Sequence, residues 1–79
     1  MRFPVGSLAR LKPGHPDIFL IHMQTKETFT LTHQMTLKVT REEQNYVVCD
    51  VMGQDTKDLN LLKKELVLQE TPIDIGEII

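Results

Sequence analysis

The run from Phe29 to Thr40 alternates apolar and polar side chains almost without error, and no other feature constrains the fold as strongly. Phe29, Leu31, Met35, Leu37 and Val39 fall on one side of a period-two ribbon, and Thr30, Thr32, Gln34, Thr36, Lys38 and Thr40 fall on the other. A period of two belongs to a β-strand with one face buried and one in water. Only His33 is out of pattern, standing on the apolar side. A two-residue hairpin at His33-Gln34 would set Thr32 opposite Met35 and mix the two sets, so the pattern predicts one continuous strand. At about 3.4 Å per residue that strand would span roughly 40 Å, which a small barrel accommodates only if the strand coils near Thr32-His33-Gln34.

The rest of the chain supplies partners for it. Ala9 and Leu11 alternate with Arg10 and Lys12 in a short first strand, which Pro13-Gly14-His15-Pro16 ends, because proline fixes φ and glycine supplies a turn. Residues 18–23 form a second strand, apolar on both sides for most of its length and therefore expected to be the most enclosed. Residues 41–45 hold no apolar side chain and read as a hairpin loop into a strand from Tyr46 to Met52. Across that loop Val39 would face Val47, Leu37 would face Cys49 and Met35 would face Val51, so the two apolar sets coincide. After a turn at residues 53–57, Leu59 and Leu61 begin a strand that passes into one helical turn over Leu62-Lys63-Lys64-Glu65, before a last strand at Leu66-Val67-Leu68. The expected core is Leu11, Phe19, Ile21, Leu31, Leu37, Val39, Val47, Cys49 and Val51. The predicted fold is an antiparallel β-barrel of about five strands over residues 1–70, followed by an apolar and acidic tail over residues 71–79.

A chain of 79 residues makes one domain, and a domain of this size buries only about 60% of the surface its unfolded chain exposes. Its 41% hydrophobic content suffices for a folded core. One cysteine, Cys49, excludes an internal disulfide framework and most thiolate zinc sites, and a reducing, cytoplasmic setting is expected. No apolar stretch approaches the roughly 20 residues of a membrane span, and Met1-Arg2-Phe3-Pro4 lacks the apolar segment of a signal peptide. The net charge of −2 is unevenly spread: residues 1–16 carry Arg2, Arg10 and Lys12 with no acid, whereas Glu65, Glu70, Asp74 and Glu77 carry the last fifteen residues with no base.

Val5-Gly6-Ser7-Leu8-Ala9-Arg10-Leu11-Lys12, then Gly14-His15-Pro16 and an apolar strand, resembles the opening of the small bacterial YodC-like proteins, V-G-D-x-V-x-L-K-S-G-G-P. Val47-Val48-Cys49-Asp50-Val51-Met52-Gly53 is similar to that family's V-x-C-x-W-F segment, and Leu61 to Leu66 to its closing F-x-x-x-x-L. The resemblance covers about half the chain and implies a short SH3-like barrel. Ser7 stands where the family has an acid, Val51-Met52 replaces an aromatic pair, and residues 25–45 exceed the family's middle. KOW and Tudor modules share such turn-and-strand signatures, and the family carries no established activity.

Candidate chemistry is sparse. Ser7 belongs to the turn before the first strand, where a hydroxyl more often bonds local backbone than attacks a substrate. Cys49, inward-facing between Val47 and Val51, sits where apolar surroundings raise the thiol pKa. His15, His22 and His33 lack the short spacings of metal ligands, and no cofactor or metal is expected. His33 reads as a half-buried histidine at a barrel end bonded to a backbone carbonyl. Phe19 and Phe29 belong to the core, leaving Phe3 and Tyr46 as surface aromatics. Ile73, Ile75, Ile78 and Ile79 would be an odd set to leave in water, so the tail either packs back on the barrel or docks on a partner, and together with Tyr46 these are the candidate partner-binding residues. The functional expectation is a non-enzymatic protein-interaction module of bacterial or phage type, with a protein partner or self-association and no membrane or small-molecule substrate. The alternative is a KOW-like nucleic-acid-associated barrel, binding weakly through Arg2, Arg10, Lys12 and His15.

Overall fold

The computed structural model describes residues 2–69. The described residues are all-β: seven strands, β1 (Leu8–Leu11), β2 (Ile18–Ile21), β3 (Thr28–Leu31), β4 (Leu37–Glu42), β5 (Tyr46–Val51), β6 (Leu59–Leu62) and β7 (Leu66–Leu68), with one 3-10 turn, Lys63–Glu65, between the last two. Five strands form an antiparallel sheet in the order β6-β5-β4-β1-β7, and β2 and β3 form a separate two-stranded hairpin. The expected helical turn before the last strand is present. The described residues hold seven strands rather than about five: the long alternating run is two strands, and Leu59–Leu62 and Leu66–Leu68 are two more on either side of the 3-10 turn.

That run breaks at residues 32–36, where the Met35 N–H donates to the Thr32 carbonyl at 3.2 Å and reverses the chain. Leu31 and Leu37 nevertheless both end fully buried. The turn occupies an odd number of positions, so strand parity is the same on each side of it. Alternation therefore passes through the turn unmarked.

The β4–β5 pairing keeps the expected faces with a different register. Leu37 opposes Val51 and Val39 opposes Cys49, two residues from the expected pairs, with a bulge between Val39 and Arg41. β4 runs on to Glu42, so the connection shortens to three residues, and the Glu43 N–H closes it by donating to the Tyr46 carbonyl at 2.9 Å. Bulges of this kind let a strand bend without changing which face is buried.

In the hairpin, Ile18 opposes Leu31 and Leu20 opposes Phe29, which turns Ile18 and Leu20 toward the core; Phe19 and Ile21 oppose Thr30 and Thr28 and point outward. Phe19 and Ile21, expected in the core, are 63% and 55% exposed. β2 is thus far from the most enclosed strand. Its two faces are both apolar, so its own sequence does not select one, and the choice falls to β3, whose threonines occupy the outer face.

Phe3 corrects another expectation: its ring is fully buried rather than a surface aromatic. It joins Ala9, Leu11, Leu31, Leu37, Val39, Val47, Cys49, Val51, Leu61 and Leu66 in one core cluster to which both sheets contribute. Burying a side chain of this size stabilises the fold by about 1.5–3 kcal/mol, so the Phe3 anchor is a major element in so small a domain. The turn between β1 and β2 follows its sequence closely. The His15 N–H donates to the Lys12 carbonyl at 3.0 Å across Pro13 and Gly14, with Gly14 at φ +84°, the positive φ that a type II turn requires after proline.

Candidate functional site

The hairpin's outer face and tip carry three of the exposed large apolar side chains. Phe19, Ile21 and, just beyond β2, Met23 project at alternate positions, and Met23 is 78% exposed. The tip is shaped by His22. Its backbone N–H donates to the Glu27 carbonyl and its carbonyl accepts from Lys26, both at 2.8 Å, while its ring Nδ1 accepts from the Gln24 and Thr25 N–H groups at 3.2 Å. This closed tip leaves Lys26 at a left-handed φ of +64° and presents Met23 to solvent.

Between this tip and the β5–β6 connection lies an open groove of about 1000 Å³. Leu20, Phe29 and Leu59, all packed against the core, supply apolar surface, and Ile21 and Met23 extend it outward. Glu27, Asp55 and Asp58 line it with one lysine, Lys57, and none of these four is in an ion pair with a described residue. The Asp58 N–H donates to Asp50 Oδ1 at 3.2 Å, which holds the connection with Asp58 at φ +59°. β6 is the terminal strand of its sheet, and its Leu59 and Asn60 line the groove, so unpaired backbone groups border the apolar floor.

The basic candidates do not gather into one patch. Arg2 reaches Glu42 through two nitrogens, Nε at 3.2 Å and Nη2 at 3.1 Å. His15 donates from Nδ1 to the Pro16 carbonyl at 2.7 Å and places Nε2 3.7 Å from Glu65. Arg10 is half-buried on β1, and its buried Nε has no hydrogen-bond partner among the described residues. Lys12 is exposed and lines a smaller hollow of about 480 Å³ with Lys63, Lys64, Gln44, Asn45, Leu62 and Leu66. The two later lysines were not singled out in the sequence because they are remote from Lys12 along the chain. The Leu11–Leu66 pairing brings them together.

Tyr46 is half-buried at the start of β5, its hydroxyl accepting from Arg41 Nη2 at 3.3 Å. Ile73, Ile75, Ile78 and Ile79 lie outside the described residues. His33 donates from Nε2 to the Lys12 carbonyl at 3.2 Å, the backbone-carbonyl role expected of it, with Nδ1 3.7 Å from Asp17, but its side chain is exposed rather than half-buried. The Ser7 hydroxyl donates to the Pro4 carbonyl at 2.5 Å, the local backbone bond its turn position implies. Cys49 is fully buried, and burial, followed by the neighbouring Asp50 charge, pushes its thiol up to about 11. Among the described residues no three His, Cys, Asp or Glu side chains converge as a metal site, and no helix is long and apolar enough to cross a membrane. No family model, curated protein or solved structure matches the chain.

Proposed function

We propose that this protein is a non-enzymatic protein-interaction module on an SH3-like barrel, with the β2–β3 hairpin as its docking element. The observation that carries the reading is the stripe of Phe19, Ile21 and Met23, three large apolar side chains exposed along β2 and the hairpin tip. Contiguous exposed apolar surface of this kind marks interaction sites, and the groove beside it adds a strand edge that an incoming chain can extend. The order of the elements supports the SH3-like assignment: a short first strand, a hairpin excursion, three strands in meander, a 3-10 turn and a last strand returning to the first. The side chains closest to nucleophiles are otherwise engaged, Ser7 with Pro4 and Cys49 in the core. An unpaired, buried Cys49 suits a reducing setting such as the cytoplasm.

The test is a comparison of the full chain with Met23→Asp and Ile21→Asp as baits. Both variants should melt within a few degrees of the parent, because exposed substitutions change stability by about 0.5 kcal/mol or less. Each should lose a partner that the parent retains. Retention of every partner by both variants would end the proposal. The nucleic-acid reading keeps one supporting observation, the exposed Lys12 and Lys64 around the smaller hollow.

A further inference from the structure

The groove between the hairpin tip and the β5–β6 connection has a sign of charge, and that sign selects its occupant. We propose that it takes an extended peptide segment whose apolar side chains alternate with lysine or arginine, laid against the outer edge of β6. This rests on the interaction-module reading and adds to it the chemistry of the partner.

Three observations converge. The floor is apolar, with Leu20, Phe29 and Leu59 partly buried and the exposed Met23 also lining the groove. The border is a terminal strand, so an extended chain gains main-chain hydrogen bonds there that a helix could not make. The rim bears Glu27, Asp55 and Asp58 against Lys57, three acids to one base, with none of them neutralised by a described residue. A cationic segment meets this rim favourably, and like-charged candidates are opposed by it.

Charge decides against the other occupants. Residues 70–79 carry Ile73 and Ile75 at alternate positions. They carry Glu70, Asp74 and Glu77 with no base, so seating them sets acids against an acidic rim. A symmetric second copy meets the same obstacle, because a two-fold contact at the groove brings the rim onto itself. Nucleic acid is repelled outright.

The experiment uses two labelled synthetic peptides of equal length, one alternating valine with lysine and the other valine with glutamate. Each is titrated into the full-length protein while its amide spectrum is recorded. The lysine peptide should bind at least about tenfold tighter than the glutamate peptide at about 50 mM salt, and the gap should narrow at about 500 mM as screening shortens the reach of the rim charges. Its shifts should fall on residues 20–29 and 55–60. Asp55→Lys should abolish the preference while Met23→Ser weakens both peptides. Equal or tighter binding of the glutamate peptide would overturn the charge assignment and leave the docking element standing. Failure of both peptides to shift the groove would overturn the charge assignment and the docking element together. Gain of binding only after truncation at Gln69, or a dimer dissolved by Asp55→Lys, would show that the tail or a second copy holds the groove and would equally refute the proposal.

Discussion

The backbone N–H of Phe3 donates to the Glu42 carboxylate at 2.6 Å, joining the N-terminal segment to the end of β4. The same carboxylate accepts from Arg2 and, at 3.0 Å, from Nζ of Lys63, the first residue of the 3-10 turn. Three remote parts of the chain therefore meet on one side chain. Because the Phe3 ring fills the core immediately behind this contact, Glu42 fixes the segment that delivers it.

Acid should undo this junction at a defined point. The Arg2 hydrogen bonds, the Phe3 N–H and Lys63 hold the Glu42 carboxyl down from 4.5 to about 2. A carboxyl whose folded pKa lies below its unfolded value contributes stability that is fully present above the unfolded value and is lost as pH falls through the folded one. The window is therefore from about pH 4.5 down to about pH 2. Thermal melts across it should show the parent losing stability more steeply than Glu42→Gln, which lacks the titrating group and begins less stable at neutral pH. Parallel curves for the two proteins would refute the role assigned to Glu42.

The orientation of β2 gives a second expectation. Phe19→Ser should change stability by no more than about 0.5 kcal/mol, as for most exposed positions. Leu20→Ser should cost about 1–2 kcal/mol, because Leu20 packs on the core opposite Phe29. Chemical denaturation of the two variants reads the difference, and a larger loss at Phe19 would place the hairpin the other way round.

These positions also show how far the sequence could be read. Alternation correctly placed Leu31, Leu37, Val39, Val47, Cys49 and Val51 in the core, because a one-residue error would have exposed all of them. It could not see the turn at residues 32–36, which preserves parity, nor choose a face for β2, where both faces are apolar. The missing information for β2 was in β3: Thr28 and Thr30 must face water, and antiparallel pairing then turns Phe19 and Ile21 out. Phe3 was illegible for another reason. Nothing adjacent to it forms a strand, and its burial depends on Glu42, thirty-nine residues away. The groove was equally hidden, since Met23 and Asp55 meet only through tertiary packing.

Cys49 should resist thiol reagents while the protein is folded. With its pKa pushed up to about 11, only about one thiol in a thousand is ionised at pH 8, and the side chain is also fully buried. Labelling with a disulfide reagent at that pH should wait for unfolding and then proceed to one thiol per chain. Rapid labelling of the folded protein would mean that β5 opens readily.

Neighbouring positions on β4 should behave oppositely. Leu37→Asp puts a charge into the centre of the core and should unfold the domain. Lys38→Asp stays in water and meets Asp50 directly across the pair, a like-charge contact costing no more than about 1 kcal/mol. Circular dichroism melts separate the two outcomes, and comparable losses would refute the facing of β4.

The last expectation bears on nucleic acid. Each phosphate neutralised on duplex DNA steepens the plot of log affinity against log salt by about 0.9. Arg2 is already bonded to Glu42, and His15 stands beside Glu65, so neither arrives as an isolated positive charge. Lys12 and Lys64 at the smaller hollow, with Arg10 half-buried nearby on β1, leave three candidates for phosphate contact. The slope for the full-length protein should then be no steeper than about −3, with weak affinity at physiological salt, and Lys12→Ala combined with Lys64→Ala should flatten it to about −1. Fluorescence anisotropy on a labelled duplex measures it. A slope of about −5 or beyond would require cations from elsewhere on the surface and would raise the nucleic-acid reading above the docking of a protein partner.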